Sequence, residues 1–101
     1  MLRSYRAPVI RTFADRETEL VWNEEGSRRL PWQIQQRALN KLALLHRAAR
    51  LDDVRVPPGN RLETLRGDRF GQHSIRINDQ WRLCFRWEAG DAFDVEIRDY
   101  H

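Results

Sequence analysis

The chain has almost no lysine: of eighteen Lys and Arg residues, only Lys41 is a lysine. Its positive charge rests on arginine, which binds phosphate through a planar pair of donors and stays charged when partly buried. Genomic base composition accounts for such a bias equally well. One cysteine, Cys84, excludes an internal disulfide and fits a reducing cytoplasm. There is no Cys pair and no HExxH spacing, and His46, His73 and His101 are scattered, so neither a metal site nor a cofactor is expected. Glycine-rich phosphate loops are missing too: Gly67 and Gly71 flank Asp68-Arg69-Phe70, a turn rather than a nucleotide cradle. Nothing singles out Ser27 or Ser74 as a nucleophile. No apolar run approaches membrane length, and the chain opens without a charged-then-apolar signal pattern. These absences predict a soluble, cytoplasmic protein without a membrane partner.

What is present is a charged surface on a small domain. The 101 residues, 12.1 kDa, support a single domain over 1–101 with one modest core. A net charge of +3 and a pI near 9.7 suit an anionic partner. From Ser74 onward, apolar residues fall at odd positions: Ile75, Ile77, Trp81, Leu83, Phe85, Trp87, Phe93, Val95 and Ile97. Arg76, Arg82, Arg86, Glu96 and Arg98 are among the residues between them. A period of two predicts strands with one apolar and one charged face. Asn78-Asp79-Gln80 and Glu88-Ala89-Gly90 each suit a three-residue hairpin loop, which sets Arg76 opposite Arg82 and Arg82 opposite Glu96. The alternative is an ordinary solvated sheet face of mixed charge.

Upstream, Met1–Tyr5 reads as a short strand of the same sheet. Pro8 suits the first turn of a helix carrying Val9, Ile10, Phe13 and Ala14 and ending near Arg16 or Glu17. Residues 19–30 read as a loop anchored by Val21 and Trp22. Ile34, Ala38, Leu42, Leu45 and Ala49 predict a second helix from Pro31 or Trp32 to about Arg50, poorly capped at its start. Val56-Pro57-Pro58-Gly59 reads as an extended, non-helical linker. The expected class is α+β: an N-terminal strand and two helices packed on one face of a mostly antiparallel, meandering sheet whose basic face stays open.

Acid–base chemistry on a phosphodiester fits these residues. Cutting RNA needs a base near the 2′-hydroxyl, an acid near the leaving 5′-oxygen and cations around the phosphorane. His101 titrates near neutrality and can serve either role. Tyr100 can stack on a base or donate a proton, Asp99 can orient His101, and Arg82 and Arg66 can hold the phosphate. A frayed terminus is the competing reading of Asp99-Tyr100-His101.

The run GNRLETLRGDRFGQHSIRINDQWRLCF, followed by GDAFDVEIRDYH, resembles HigB-type toxins of bacterial type II toxin–antitoxin systems, within the RelE/ParE superfamily. The likeness is dense from Gly59 to His101 and looser over the opening MLRSYR and the amphipathic helix. It implies a RelE-like fold and a ribosome-dependent endoribonuclease that cuts mRNA in the A site without a metal. It also implies a HigA-type helix-turn-helix antitoxin, with operator DNA bound only through the toxin–antitoxin complex. By position, the resemblance assigns catalysis to Arg82, Asp99, Tyr100 and His101. Where the related pattern reads HPLKGDR, this chain has Glu63 for the histidine and Arg66 for the lysine. Arg66 keeps the charge but is a poor proton donor; Glu63 can act as base with His101 as acid. Arg69, Arg76 and Arg86 are expected to contact RNA backbone. Two alternatives are a gyrase inhibitor of the ParE kind and a ribosome- or RNA-binding toxin without catalysis.

Overall fold

Asp15 decides where the first helix begins. Its backbone is extended, and its Oδ1 accepts the Thr18 amide at 2.8 Å, capping helix α1 (Arg16–Trp22). Such a cap is worth about 1 kcal/mol. The computed structural model describes residues 9–100, so the strand expected at Met1–Tyr5 lies outside the described residues. The helix expected from Pro8 is overturned. Residues 9–14 instead run alongside the last strand in parallel. The Arg11 and Ala14 amides donate to the carbonyls of Ala92 and Val95 at 2.8 and 2.9 Å, and the Ala92 and Val95 amides donate back to those of Val9 and Thr12 at 2.7 and 3.0 Å. β-Branched Val9, Ile10 and Thr12 suit that extended path. Val21 and Trp22, expected in a loop, close α1, with Val21 buried.

Helix α2 (Trp32–Arg47) buries Ile34, Ala38, Leu42 and Leu45 on one stripe. Fully burying side chains such as Leu42 and Leu45 contributes roughly 1.5–3 kcal/mol each. Its start has no side-chain cap, as expected; the Gln35 side-chain amide ties back to the carbonyls of Ser27 and Leu30 at 2.8 and 2.9 Å. The helix stops short of Arg50 because Asp53 Oδ2 captures the amides of Ala49 and Arg50 at 2.8 and 3.0 Å, drawing the chain into a 3-10 turn at Leu51–Arg55. Ala48, not Ala49, therefore completes the buried stripe. The Val56–Gly59 linker is not wholly extended: Pro58–Asn60 forms another 3-10 turn after a cis Val56–Pro57 bond.

Strands β1 (Glu63–Thr64), β2 (Gln72–Arg76), β3 (Trp81–Glu88) and β4 (Asp91–Asp99) form an antiparallel sheet in sequence order. The first hairpin matches its three-residue loop, with Arg76 opposite Arg82. The second does not. Glu88 pairs with Asp91 across a two-residue loop, Ala89-Gly90, both at positive φ (51° and 85°), as a type I′ turn requires. A bulge follows, with Asp94 at φ 54°, so that Arg86 pairs with Phe93 but Cys84 with Glu96. Both changes slide β4 the same way, and Arg82 faces Arg98 rather than Glu96. Between turn and bulge the alternation inverts: Ala92 is buried while Phe93, expected inward, lies beside Arg86 on the polar face. Beyond the bulge Val95 and Ile97 return to the core with Ile75, Leu83 and Phe85, beneath α2. No helix among the described residues is long and apolar enough to cross a membrane.

Candidate active site

Asn60 is the hinge on which the site turns. It is buried; its Nδ2 donates to the carbonyls of Val54 and Val56 at 3.1 and 3.2 Å, and its Oδ1 accepts from Lys41 Nζ. Arg61 follows in a left-handed conformation (φ 47°), which turns its carbonyl inward over β2 and β3. That carbonyl accepts from Arg82 Nη2 at 2.6 Å.

Arg82 sits on the face expected to be charged and exposed, yet it is 6% exposed. Its Nε donates to Ser74 Oγ at 2.8 Å, and its Nη2 reaches the Ser74 carbonyl at 3.3 Å and Glu63 Oε1 at 3.2 Å. Tyr100 packs its ring on the same guanidinium, 5.2 Å from centroid to Cζ, a contact worth about 0.5–2 kcal/mol. Nη1 makes no hydrogen bond among the described residues, and no buried side-chain nitrogen there lacks a partner, so Nη1 meets solvent. Arg82 thus has three positions fixed and one donor available.

Arg82 lines a cleft of about 480 Å³ together with Gly59, Arg61, Glu63, Arg76, Asn78, Asp79 and Tyr100. The field there is cationic. A hydrogen bond from Arg76, then the charges of Arg76, Arg61 and Arg37, hold the Asp79 carboxyl below its usual range. Burial, then Arg37 and Arg76, push the Lys41 ammonium down. Arg76 and Arg82 face each other directly, and each is ion-paired to a carboxylate, Arg76 to Asp79 and Arg82 to Glu63.

Glu63, Arg76, Arg82 and Tyr100 are therefore brought together. Tyr100 is tied by its amide to the Gln80 carbonyl at 2.7 Å, and Asp99 accepts from Gln80 Nε2 at 3.0 Å. His101 lies outside the described residues. Arg66, Arg69 and Arg86 stand apart from the cleft. Arg66 is exposed at the head of a 3-10 turn, Gly67–Arg69. Arg69 is held by Gln72 and Glu96, both at 3.0 Å, and Arg86 by Asp94 at 2.8 Å and by Glu88. Cys84 is buried beneath this face, and burial pushes its thiol up, away from nucleophilic use. Ser74 and Arg61 are the functional positions that sequence reasoning passed over. Ser74 was legible from the Arg76–Arg82 register, which sets it diagonal to Arg82; the Arg61 carbonyl has no sequence signal.

Comparison with known proteins gives a family and relatives. A family described as the RelE-like toxin of type II toxin–antitoxin system HigB matches residues 11–101. Toxin HigB-1 of Vibrio cholerae is 40% identical over 86 residues, which cover 84% of this chain and 90% of that protein. Endoribonuclease HigB of Proteus vulgaris is 27% identical over 93 residues, 92% of this chain and all of that protein. An uncharacterised protein of Haemophilus influenzae is 32% identical over 69 residues, 68% of each chain.

Proposed function

This chain belongs to the RelE-like HigB toxins of type II toxin–antitoxin systems, and on that premise we propose that it is an endoribonuclease cutting mRNA in the ribosomal A site. An antitoxin partner comes with the family; we take it to be a HigA-type helix-turn-helix protein, which also brings the pair to operator DNA. The Proteus relative named an endoribonuclease supports the reaction class. The observation that carries the reading is Arg82: a guanidinium lining a cationic cleft and fixed by Ser74, the Arg61 carbonyl and Glu63, with Nη1 making no hydrogen bond among the described residues.

The chemistry follows from the donor set. Glu63 takes the proton of a 2′-hydroxyl; the resulting alkoxide attacks the adjacent phosphorus and expels the 5′-oxygen, leaving a cyclic phosphate. His101, next to Tyr100, protonates that leaving oxygen, and Asp99 orients it. Arg82 and Arg76 neutralise the charge developing on the phosphorane, and Tyr100 stacks on Arg82 or a neighbouring base. Arg66, outside the cleft, clamps a phosphate flanking the scissile one, while Arg69 and Arg86 meet RNA backbone once their carboxylate partners are displaced. One small cleft positions a flexible strand poorly, and the ribosome supplies the remaining orientation.

Mapping mRNA 5′ ends on translating ribosomes tests this. New ends at the A-site codon with wild-type protein, lost in Glu63→Gln and His101→Ala, are expected. Inhibited translation without new ends supports the second reading, a binder in which Glu63 neutralises Arg82 instead of serving as a base; the 3.2 Å ion pair favours that alternative. Unaffected translation excludes both.

A further inference from the structure

Phe70 is 84% exposed, and it is not on a loose tail. Its amide donates to the Gly67 carbonyl at 3.0 Å, and the Arg69 amide donates to the Arg66 carbonyl at 3.3 Å. Gly67 and Gly71 bracket the turn at φ 66° and 91°, a conformation that residues with a Cβ rarely adopt. Arg69 then rivets the turn to the sheet through Gln72 and Glu96, and the Leu65 amide closes its base on the Gln72 carbonyl at 2.8 Å. A large apolar ring is thus presented to water by a rigid frame, forgoing the stabilisation that burial elsewhere would give it. In the same turn stands Arg66, exposed and without an ion pair among the described residues.

We propose that Phe70 is a stacking platform for an RNA nucleobase, working beside Arg66, which takes a flanking phosphate. The inference rests on the nuclease reading and adds a contact to it. An aromatic face in the same turn as a guanidinium with no ion pair among the described residues suits single-stranded nucleic acid: every base has a π-face, and each nucleotide carries a charge. The turn also leads from β1, which carries Glu63, into β2, which carries Ser74 and Arg76, so a strand leaving the cleft along this sheet face meets it. An apolar pocket on the antitoxin is the competing occupant, and the exposed arginine of the same turn, without an ion pair among the described residues, argues for RNA.

The test uses ribosomes programmed with mRNA that carries 2-aminopurine in the A-site codon and a 2′-O-methyl group at the cut site, so that binding is read without cleavage. Wild-type protein is expected to quench the fluorescent base. Phe70→Leu should lose the quenching and bind about 5- to 100-fold more weakly; Phe70→Trp should restore both, and Trp32→Leu should match wild type. Weaker binding by Phe70→Leu with no quenching by wild type overturns stacking on the A-site codon and places the ring against another part of the ribosome. Equal binding and quenching by Phe70→Leu overturns the proposal, as does a defect confined to antitoxin binding. Phe70-dependent quenching by wild type that leaves unmodified mRNA uncut sinks the nuclease reading and keeps the stacking.

Discussion

Glu63 Oε1 stands 3.2 Å from Arg82 Nη2, joining a carboxylate side chain 47% exposed to a guanidinium only 7% exposed. The buried partner is fixed by three other contacts, so the pair orients Glu63 and not the reverse. Glu63→Gln keeps the shape and removes the proposed base. Cleavage on the ribosome should fall roughly 10²- to 10⁴-fold, with ribosome binding within about threefold of wild type. Cleavage at the wild-type rate would remove this carboxylate from the chemistry.

Arg82 holds the fold together, and in the proposed mechanism it also serves the chemistry. In Arg82→Ala the carbonyls of Arg61 and Ser74 and the Ser74 hydroxyl lose their donor in a nearly dry site. The loss should be on the order of 3 kcal/mol, a fall in Tm of roughly 10–20 °C for a domain of this size. Arg82→Lys retains a charge without the fork; it should melt closer to wild type yet cut at least about tenfold more slowly. Paired thermal melts and cleavage assays decide, and an Arg82→Ala protein as stable as wild type contradicts the burial argument.

Thr18 links α1 to the sheet. Its buried Oγ1 accepts the Ile97 amide at 2.9 Å. Thr18→Val preserves the volume but orphans that amide, and should lower unfolding free energy by about 1–3 kcal/mol. Thr18→Ser should recover most of it. Urea denaturation of the two variants checks this, and equal losses in both would point to packing instead.

Stability should weaken in mild acid through His46. Burial pushes its imidazole below the ordinary value, and its Nδ1 accepts the Ile10 amide at 3.3 Å, which a protonated ring cannot do. The unfolded chain binds the proton more readily, so this contribution is complete above about pH 6.5 and is lost as pH falls through the lowered folded value. His73 shifts in the same direction, also by burial. Denaturation at several pH values should give a shallower dependence between about pH 7 and 5 for His46→Gln than for wild type. Identical slopes would acquit His46.

Much of the sheet could be read directly. Odd-numbered Ile75, Leu83, Phe85 and Ile97 are buried as alternation requires, and the loop at Asn78 set Arg76 against Arg82. The second hairpin misled because Ala89 adopts positive φ, an uncommon choice for alanine, and because the Asp94 bulge leaves no mark in a hydrophobic pattern. Two one-residue shifts restore the original parity, which is why the core residues beyond the bulge were right while the partner of Arg82 was wrong. The N-terminal segment failed for another reason: Val9 to Ala14 has helical spacing, but its hydrogen bonds go to β4, a long-range pairing that no local signal reports. Glu63, Arg76, Arg82 and Tyr100 were all named from the sequence, and they line one cleft. The burial of Arg82 was not legible, since it depends on a left-handed Arg61 folding back over the strand.

Lys41 carries the chain's single side-chain amine, and Asn60 already holds it. Succinimide esters act on amines, so apart from the α-amino group they find little to attach to in this protein. Cross-linking screens built on lysine will under-represent its neighbours in antitoxin complexes. Guanidine-directed reagents such as phenylglyoxal, or photoreactive groups placed at exposed sites such as Trp32, suit it better.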